Sequence, residues 1–255
     1  MSIDSASKRA AFRALHAAGC FVLPNPWDIG GVRRLEKLGF AALASTSAGY
    51  AWSLGRADNE LSRDDVLAHL RTLCAATDLP VNADFEDGFA DDPDEVGANV
   101  TLAVATGVAG LSIEDRAGKD LHALPLSIER IRAARAAIDR SAEDVLLVAR
   151  SEGFLLGRPD LDATIARLVA YADAGADVLY APGVRDLHAI AAIVRAVAPK
   201  PVNVLLMGPQ MRVADLAAIG VRRVSVGGTL AAIAWNAFDR AALQLAQTGS
   251  LPARG

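Results

Sequence analysis

Three stretches of the sequence carry charged groups where a β-type run ends: NADFEDGF around Asp84 and Glu86, SIEDRAG around Glu114, and VARSEGF around Arg150. Asp84 and Glu86 are two residues apart, a spacing that turns both carboxylates to one side of an extended chain and Phe85 to the other. Glu114 ends the next β-type run and can add a third oxygen ligand, directly or through water. Three acids at one mouth repel unless a cation sits between them, and Mg²⁺ takes a few carboxylates plus several waters. No histidine or cysteine stands beside them, which argues against zinc. Asp84, Glu86 and Glu114 are therefore expected to hold Mg²⁺, with Mn²⁺ as a substitute, whereas Asp87 and Asp115 read as solvated strand-end acids or helix caps.

Arg150 follows an apolar run, where a buried guanidinium needs a partner. A substrate carboxylate suits it through two parallel hydrogen bonds, and Glu152 or Glu114 is the internal alternative. The segment ASTSAGYAWSLGRAD is rich in small residues and too polar for a core. Its backbone N–H groups at Ser47, Ala48 and Gly49 could form a nest for a carboxylate or enolate oxygen, and Asp58 in the same loop could reach over the metal. Gly227 and Gly228 stand before a helix start at Thr229, but tight packing explains them as well as a phosphate does.

These groups need a scaffold that brings strand ends together. After an opening amphipathic helix the sequence alternates apolar β-type runs with longer amphipathic segments, eight times. The strand candidates are Cys20 to Asn25, Ala42 to Thr46, Val81 to Glu86, Gly110 to Asp115, Val145 to Ser151, Asp177 to Ala181, Val202 to Met207 and Arg223 to Gly227. The helix candidates that follow them are Ile29 to Leu38, Arg63 to Ala76, Asp94 to Ala105, Ser127 to Ile138, Asp162 to Ala174, Asp186 to Val197, Val213 to Ile219 and Leu230 to about Gln247. Ser62 and Pro93 mark helix starts, and Gly39, Gly107, Gly175 and Gly220 mark helix ends. Runs such as LLVA and VNVLL do not alternate polar with apolar, as befits parallel strands covered by helices. The expected fold is α/β, a (β/α)₈ TIM barrel in one domain over 1–255, with an N-terminal capping helix and a long C-terminal helix. An open doubly wound sheet is the alternative, but no GxGxxG follows the first strand.

Composition narrows the partners. With 26 Lys+Arg against 30 Asp+Glu, a net charge of -4 and no basic cluster, the 255-residue chain lacks the footprint of a nucleic-acid binder. No apolar run spans a membrane and the first residues do not form a secretion signal. Cys20 and Cys74 suit reduced, buried thiols better than a disulfide, so a cytoplasmic location is expected. The four lysines, Lys8, Lys37, Lys119 and Lys200, lie outside strand interiors, which disfavours Schiff-base chemistry.

Nearly the whole chain resembles the isocitrate lyase and phosphoenolpyruvate mutase superfamily. LPNPWDIGGVRRLEKLGFAALASTSAGYAWSLGRAD resembles its first two βα units, VNADFEDGF its metal strand, SIED its acidic fourth strand end, and VARSEGF its strand-five arginine. The resemblance implies a Mg²⁺-dependent lyase or decarboxylase that works beside the carbonyl of a small anionic 2-oxo or 2-hydroxy (di)carboxylic acid through a metal-stabilised enolate. It implies metal-site roles for Asp84, Glu86 and Glu114, with Glu86 standing where many members have aspartate. It also gives Asp58 the place of the acid beside the metal, Ser47 and the following amides the substrate-carboxylate cradle, and Arg150 the substrate arginine. The loop after strand four, RAGKDLHALP, lacks the cysteine motif of isocitrate and methylisocitrate lyases, and Pro182 stands where several lyases place a glutamate. That loop also lacks the asparagine of the mutases and offers Lys119 as a gate or an exposed turn residue. These departures favour decarboxylation of an oxaloacetate-like acid. Carbon–phosphorus chemistry of the phosphoenolpyruvate mutase or phosphonopyruvate hydrolase type is one alternative, and an idle metabolite-binding member is another. The last helix, apolar on more than one side, implies a homo-oligomer, dimeric or tetrameric, since the family often exchanges this helix between subunits.

Overall fold

In the computed structural model, which describes residues 3–253, eight parallel strands pair in one sheet. They are β1 (Phe21–Leu23), β2 (Leu43–Ala44), β3 (Val81–Asp84), β4 (Gly110–Glu114), β5 (Leu146–Arg150), β6 (Val178–Tyr180), β7 (Val202–Leu205) and β8 (Arg223–Ser225). Each pairs with its sequence neighbour from β2 through β8, and β8 returns to pair with β1. The remaining seam is closed by Ala44 N donating to Pro24 O at 3.0 Å. Asn25 ties the same corner: its Nδ2 donates to Ser45 O at 2.7 Å, and its Oδ1 accepts from Val226 N and Gly227 N. This is the expected (β/α)₈ barrel.

Local rules explain the spacing of its parts. Ser62 and Asp65 form a capping box at the helix Arg63–Ala76, and Asp92 caps the helix Pro93–Val104, which has proline in its first turn. Gly39, Gly107, Gly175 and Gly220, just past helix ends, have φ between 85° and 105°, a region only glycine enters cheaply. The opening helix Ser5–Ala17 closes the N-terminal end of the barrel. Its Phe12 is fully buried with Leu23, Ala42, Ala44, Ala109 and Leu146. Lys8 Nζ donates to Thr77 O and Cys74 O, capping the end of the helix Arg63–Ala76.

Two elements depart from the sequence reading. The segment read as a loop carrying an anion nest after β2 contains a helix, Ser47–Ser53, capped by Thr46, whose Oγ1 accepts from Gly49 N. The loop after β4 folds into a small antiparallel hairpin, Arg116–Ala117 against Asp120–Leu121, with Lys119 in its turn. Cys74 is a buried free thiol as expected, whereas Cys20 is only half-buried. Among the described residues no helix is long and apolar enough to cross a membrane.

Candidate active site

Parallel strands deliver their C-terminal ends to one mouth, where loops rather than strand hydrogen bonds fix the side chains. Two chambers open there. An inner cavity of about 180 Å³ is lined by Ser47, Ala48, Asp58, Asp84, Arg150, Tyr180 and Arg223 among others, and an outer one of about 580 Å³ by Glu86, Glu114, Asn59, Arg63, Arg116 and Gly118 among others.

Asp84, the last residue of β3, is held from three sides. Its Oδ2 accepts from Ser47 N at 3.0 Å and from Ser47 Oγ at 3.1 Å, and its Oδ1 accepts from Arg150 Nη1 at 3.2 Å. The Ser47 hydroxyl also lies 2.9 Å from Asp58 Oδ1. A hydroxyl has one proton, so Ser47 shares it between the Asp58 and Asp84 carboxylates. Burial, then the charge of Asp84, raises the Asp58 pKa against the opposing pull of Ser47 and Arg150.

Arg150 links the chambers. Nη1 touches Asp84 and, at 3.4 Å, Glu114, while Nε pairs closely with Glu152; the guanidinium also lies 5.3 Å from the centre of the Tyr180 ring. The arginine expected to meet a substrate carboxylate thus already holds three internal ones. Burial acts to lower its pKa but is outweighed by Glu152, Glu114 and Asp84, so it stays a cation. Glu114 is buried and its pKa is pushed well up by that burial, opposed by Arg150 and reinforced by the neighbouring carboxylates.

Glu86 departs from the predicted strand geometry. β3 ends at Asp84, and Glu86 adopts a left-handed φ of 48°, uncommon outside glycine, in the turn that follows. Its side chain is buried, Oε1 has no hydrogen-bond partner among the described residues, and burial followed by the charges of Asp84, Asp58 and Asp87 lifts its pKa to about 8. Asp115 is not a solvated acid: it is buried and accepts from Glu152 N, Tyr171 Oη and Arg167 Nη1, fixing the turn that carries Glu152. Asp87 closes a tight turn through Phe89 N.

Of the three amides expected to form a nest, Ser47 N is bound to Asp84 and Gly49 N to Thr46; Ala48 N has neither tie. Lys119 is exposed and makes no ion pair among the described residues, although Gly118 beside it lines the outer chamber. The sequence reading missed the inward polar groups Asn82, Asn203, Arg223 and Ser225 below the mouth. The signal was available, since Asn82 lies two residues before Asp84 in VNAD and so shares its face.

A metal would enter an all-oxygen setting. Asp58, Asp84, Glu86, Glu114 and Glu152 gather around the guanidinium of Arg150, and the Glu86 Oε1, unpartnered among the described residues, is the kind of orphan a hard cation satisfies. Among the described residues no three side chains stand as a ready-made metal group. Any ion taken up here would rest on few carboxylates, with water completing its shell.

A family model described as phosphoenolpyruvate phosphomutase matches residues 12–246. The chain belongs to the phosphoenolpyruvate mutase/isocitrate lyase superfamily. Within that superfamily it is similar, at 50% identity and a TM-score of 0.94, to a Burkholderia cenocepacia J2315 protein provisionally described as a lyase/mutase, with 97% of this chain and 91% of that one covered. It is 31% identical to an oxaloacetate decarboxylase from Pseudomonas paraeruginosa, covering 86% of this chain and 78% of that one. It also superposes with a TM-score of 0.88 and 28% identity on oxaloacetate acetylhydrolase in complex with its product oxalate, covering 98% and 90% of the two chains.

Proposed function

We propose that this superfamily member is a divalent-metal-dependent lyase that breaks a carbon–carbon bond beside the carbonyl of a small 2-oxo or 2-hydroxy acid, with decarboxylation of an oxaloacetate-like acid as its leading reaction. The observation that carries this is the excess of carboxylates over Arg150 at the barrel mouth, with a buried Glu86 oxygen left unpartnered. Asp84, Glu86 and Glu114 would hold Mg²⁺ or Mn²⁺. When bound, the ion supplies Lewis-acid stabilisation of charge developing on the carbonyl oxygen.

The chain's own residues divide the other work. The Ala48 amide would bind the substrate carboxylate at the start of the short helix, while Ser47 holds Asp84 in position. Arg150 holds Asp84, Glu114 and Glu152 in fixed positions and keeps a positive charge beside the reacting end. Asp58 lines the inner cavity with a pKa raised by burial and the charge of Asp84, and it is the group within reach to pass a proton to the carbon left when carbon dioxide departs. Lys119, in the hairpin turn beside the outer chamber, would gate entry. Calorimetry with Mg²⁺ and oxalate tests this directly: binding of the pair, weakened by Asp84→Ala, is expected. Absence of metal binding with and without oxalate would overturn the reading, and phosphate release from phosphonopyruvate would replace it with carbon–phosphorus chemistry.

The C-terminal helix Thr229–Thr248 supports a homo-oligomer. Its first turn packs on the barrel through Leu230 and the buried Ala231, but Ile233, Phe238 and Leu243 are each more than half exposed, and Trp235 stacks edge-on against Phe238 in the open. A run of apolar side chains this exposed is unusual on a lone chain and suits a second copy.

A further inference from the structure

The inner cavity contains a second cation with a different role. Arg223, on β8, is 2% exposed, yet among the described residues it makes no ion pair. Its Nε donates to Asn203 Oδ1 at 3.0 Å and its Nη1 to Asn82 Oδ1 at 3.3 Å, reaching across the barrel from β8 to β3. Asn203 is itself oriented by donating from Nδ2 to Ser225 Oγ at 3.0 Å. Nη2 makes no hydrogen bond among the described residues, and Arg223 lines the inner cavity together with Ser47, Ala48 and Arg150.

A buried guanidinium normally sits beside a carboxylate, because desolvating its charge without a counter-charge is costly. Arg150 obeys this rule three times over. Arg223 is offered only neutral amides, and His16 beneath the barrel adds no negative charge: burial, then the nearby Arg223, pushes its pKa down to about 3, so it is neutral. Burial also lowers the Arg223 pKa to about 10, which still leaves a full positive charge at neutral pH. The inner cavity thus has a cradle and carboxylate-bound arginine at its mouth, and an uncompensated cation at its floor.

Resting on the lyase reading above, we propose that Arg223, oriented by Asn203 and Asn82, is the specificity residue that binds a second, distal carboxylate, so that the substrate class is a dicarboxylic acid. A monocarboxylic acid of equal length leaves this charge without a partner. The planar fork of Arg223 has Nη2 still to donate, and that donor is the complement of a carboxylate oxygen.

The test compares two ligands of the same carbon skeleton, malate and 2-hydroxybutyrate, by calorimetry on the Mg²⁺-loaded protein. The parent is expected to prefer malate at least tenfold. Arg223→Met should bring the ratio close to one while leaving oxalate, which is too short to occupy both ends, bound as before. Asn203→Asp guards against a misfolded variant, because it keeps Arg223 but gives it an internal carboxylate at hydrogen-bond distance. It should remain folded, with a raised melting temperature, and lose the preference for malate. No preference in the parent, or a preference that survives both substitutions, would overturn the proposal. Failure of oxalate to bind would count against the lyase reading alone, and the malate ratio would still decide the role of Arg223.

Discussion

Replacing Glu86 with glutamine isolates the electrostatic strain that a metal is expected to relieve. In the folded chain burial, then Asp84, Asp58 and Asp87, raise the Glu86 pKa from 4.5 to about 8. The folded form therefore holds a proton that the unfolded chain releases above pH 4.5. The contribution of Glu86 to stability is complete below that pH and is lost as pH rises through 8. At about 1.4 kcal/mol per pH unit the interval corresponds to roughly 5 kcal/mol, and water entering from the outer chamber reduces the expected effect to about 2–4 kcal/mol. Glutamine has no proton to lose. Urea unfolding in the presence of a chelator should show parent and Glu86→Gln equally stable near pH 4.5, with the variant progressively more stable up to pH 8 and the gap constant beyond it. Mg²⁺ at 100 times its dissociation constant adds about 2.7 kcal/mol to the parent and should narrow or reverse the gap. A gap that does not change between pH 5 and pH 8 would refute the reasoning.

Arg150→Lys keeps the charge but cannot reach Glu152, Asp84 and Glu114 together, so kcat/KM for the true substrate should fall at least tenfold, or about 1.4 kcal/mol; an unchanged value would contradict the positioning role. Gly110→Ala would put a Cβ 2.7 Å from Asn82 Oδ1 and 2.8 Å from Phe12 Cε1, so a loss of about 1–3 kcal/mol in urea unfolding is expected, and a loss under about 0.5 kcal/mol would show that the barrel floor can yield. Light scattering should give an oligomer for the parent and a smaller species when Trp235 and Phe238 are both replaced by serine; a monomeric parent would refute the role of the C-terminal helix.

The barrel was legible because its signals are local. Eight apolar runs, capping residues such as Ser62, and glycines such as Gly175 act within a few residues of their own position, so periodicity and spacing reveal them. The short helix Ser47–Ser53 was hidden because small polar residues read as loop unless Thr46 is seen to cap it. Glu86 shows the limit of alternation: NADFEDGF suggests an extended chain through Glu86, but the strand stops at Asp84 and a left-handed residue turns the next carboxylate toward the outer chamber. The acids at the barrel mouth are legible by type and position. Which acid Arg150 holds, and the lack of any acid at Arg223, depend on distances between strands far apart in sequence, and a single sequence does not encode these as a pattern.

The most direct test of the central claim follows oxaloacetate with Mg²⁺ by NMR, identifying carbon products above the background of metal alone. The account predicts cleavage of a carbon–carbon bond that stops when the metal is chelated and falls to background in Asp84→Ala, although that variant stays folded. Turnover that persists in Asp84→Ala, or cleavage that chelation leaves unchanged, would contradict it.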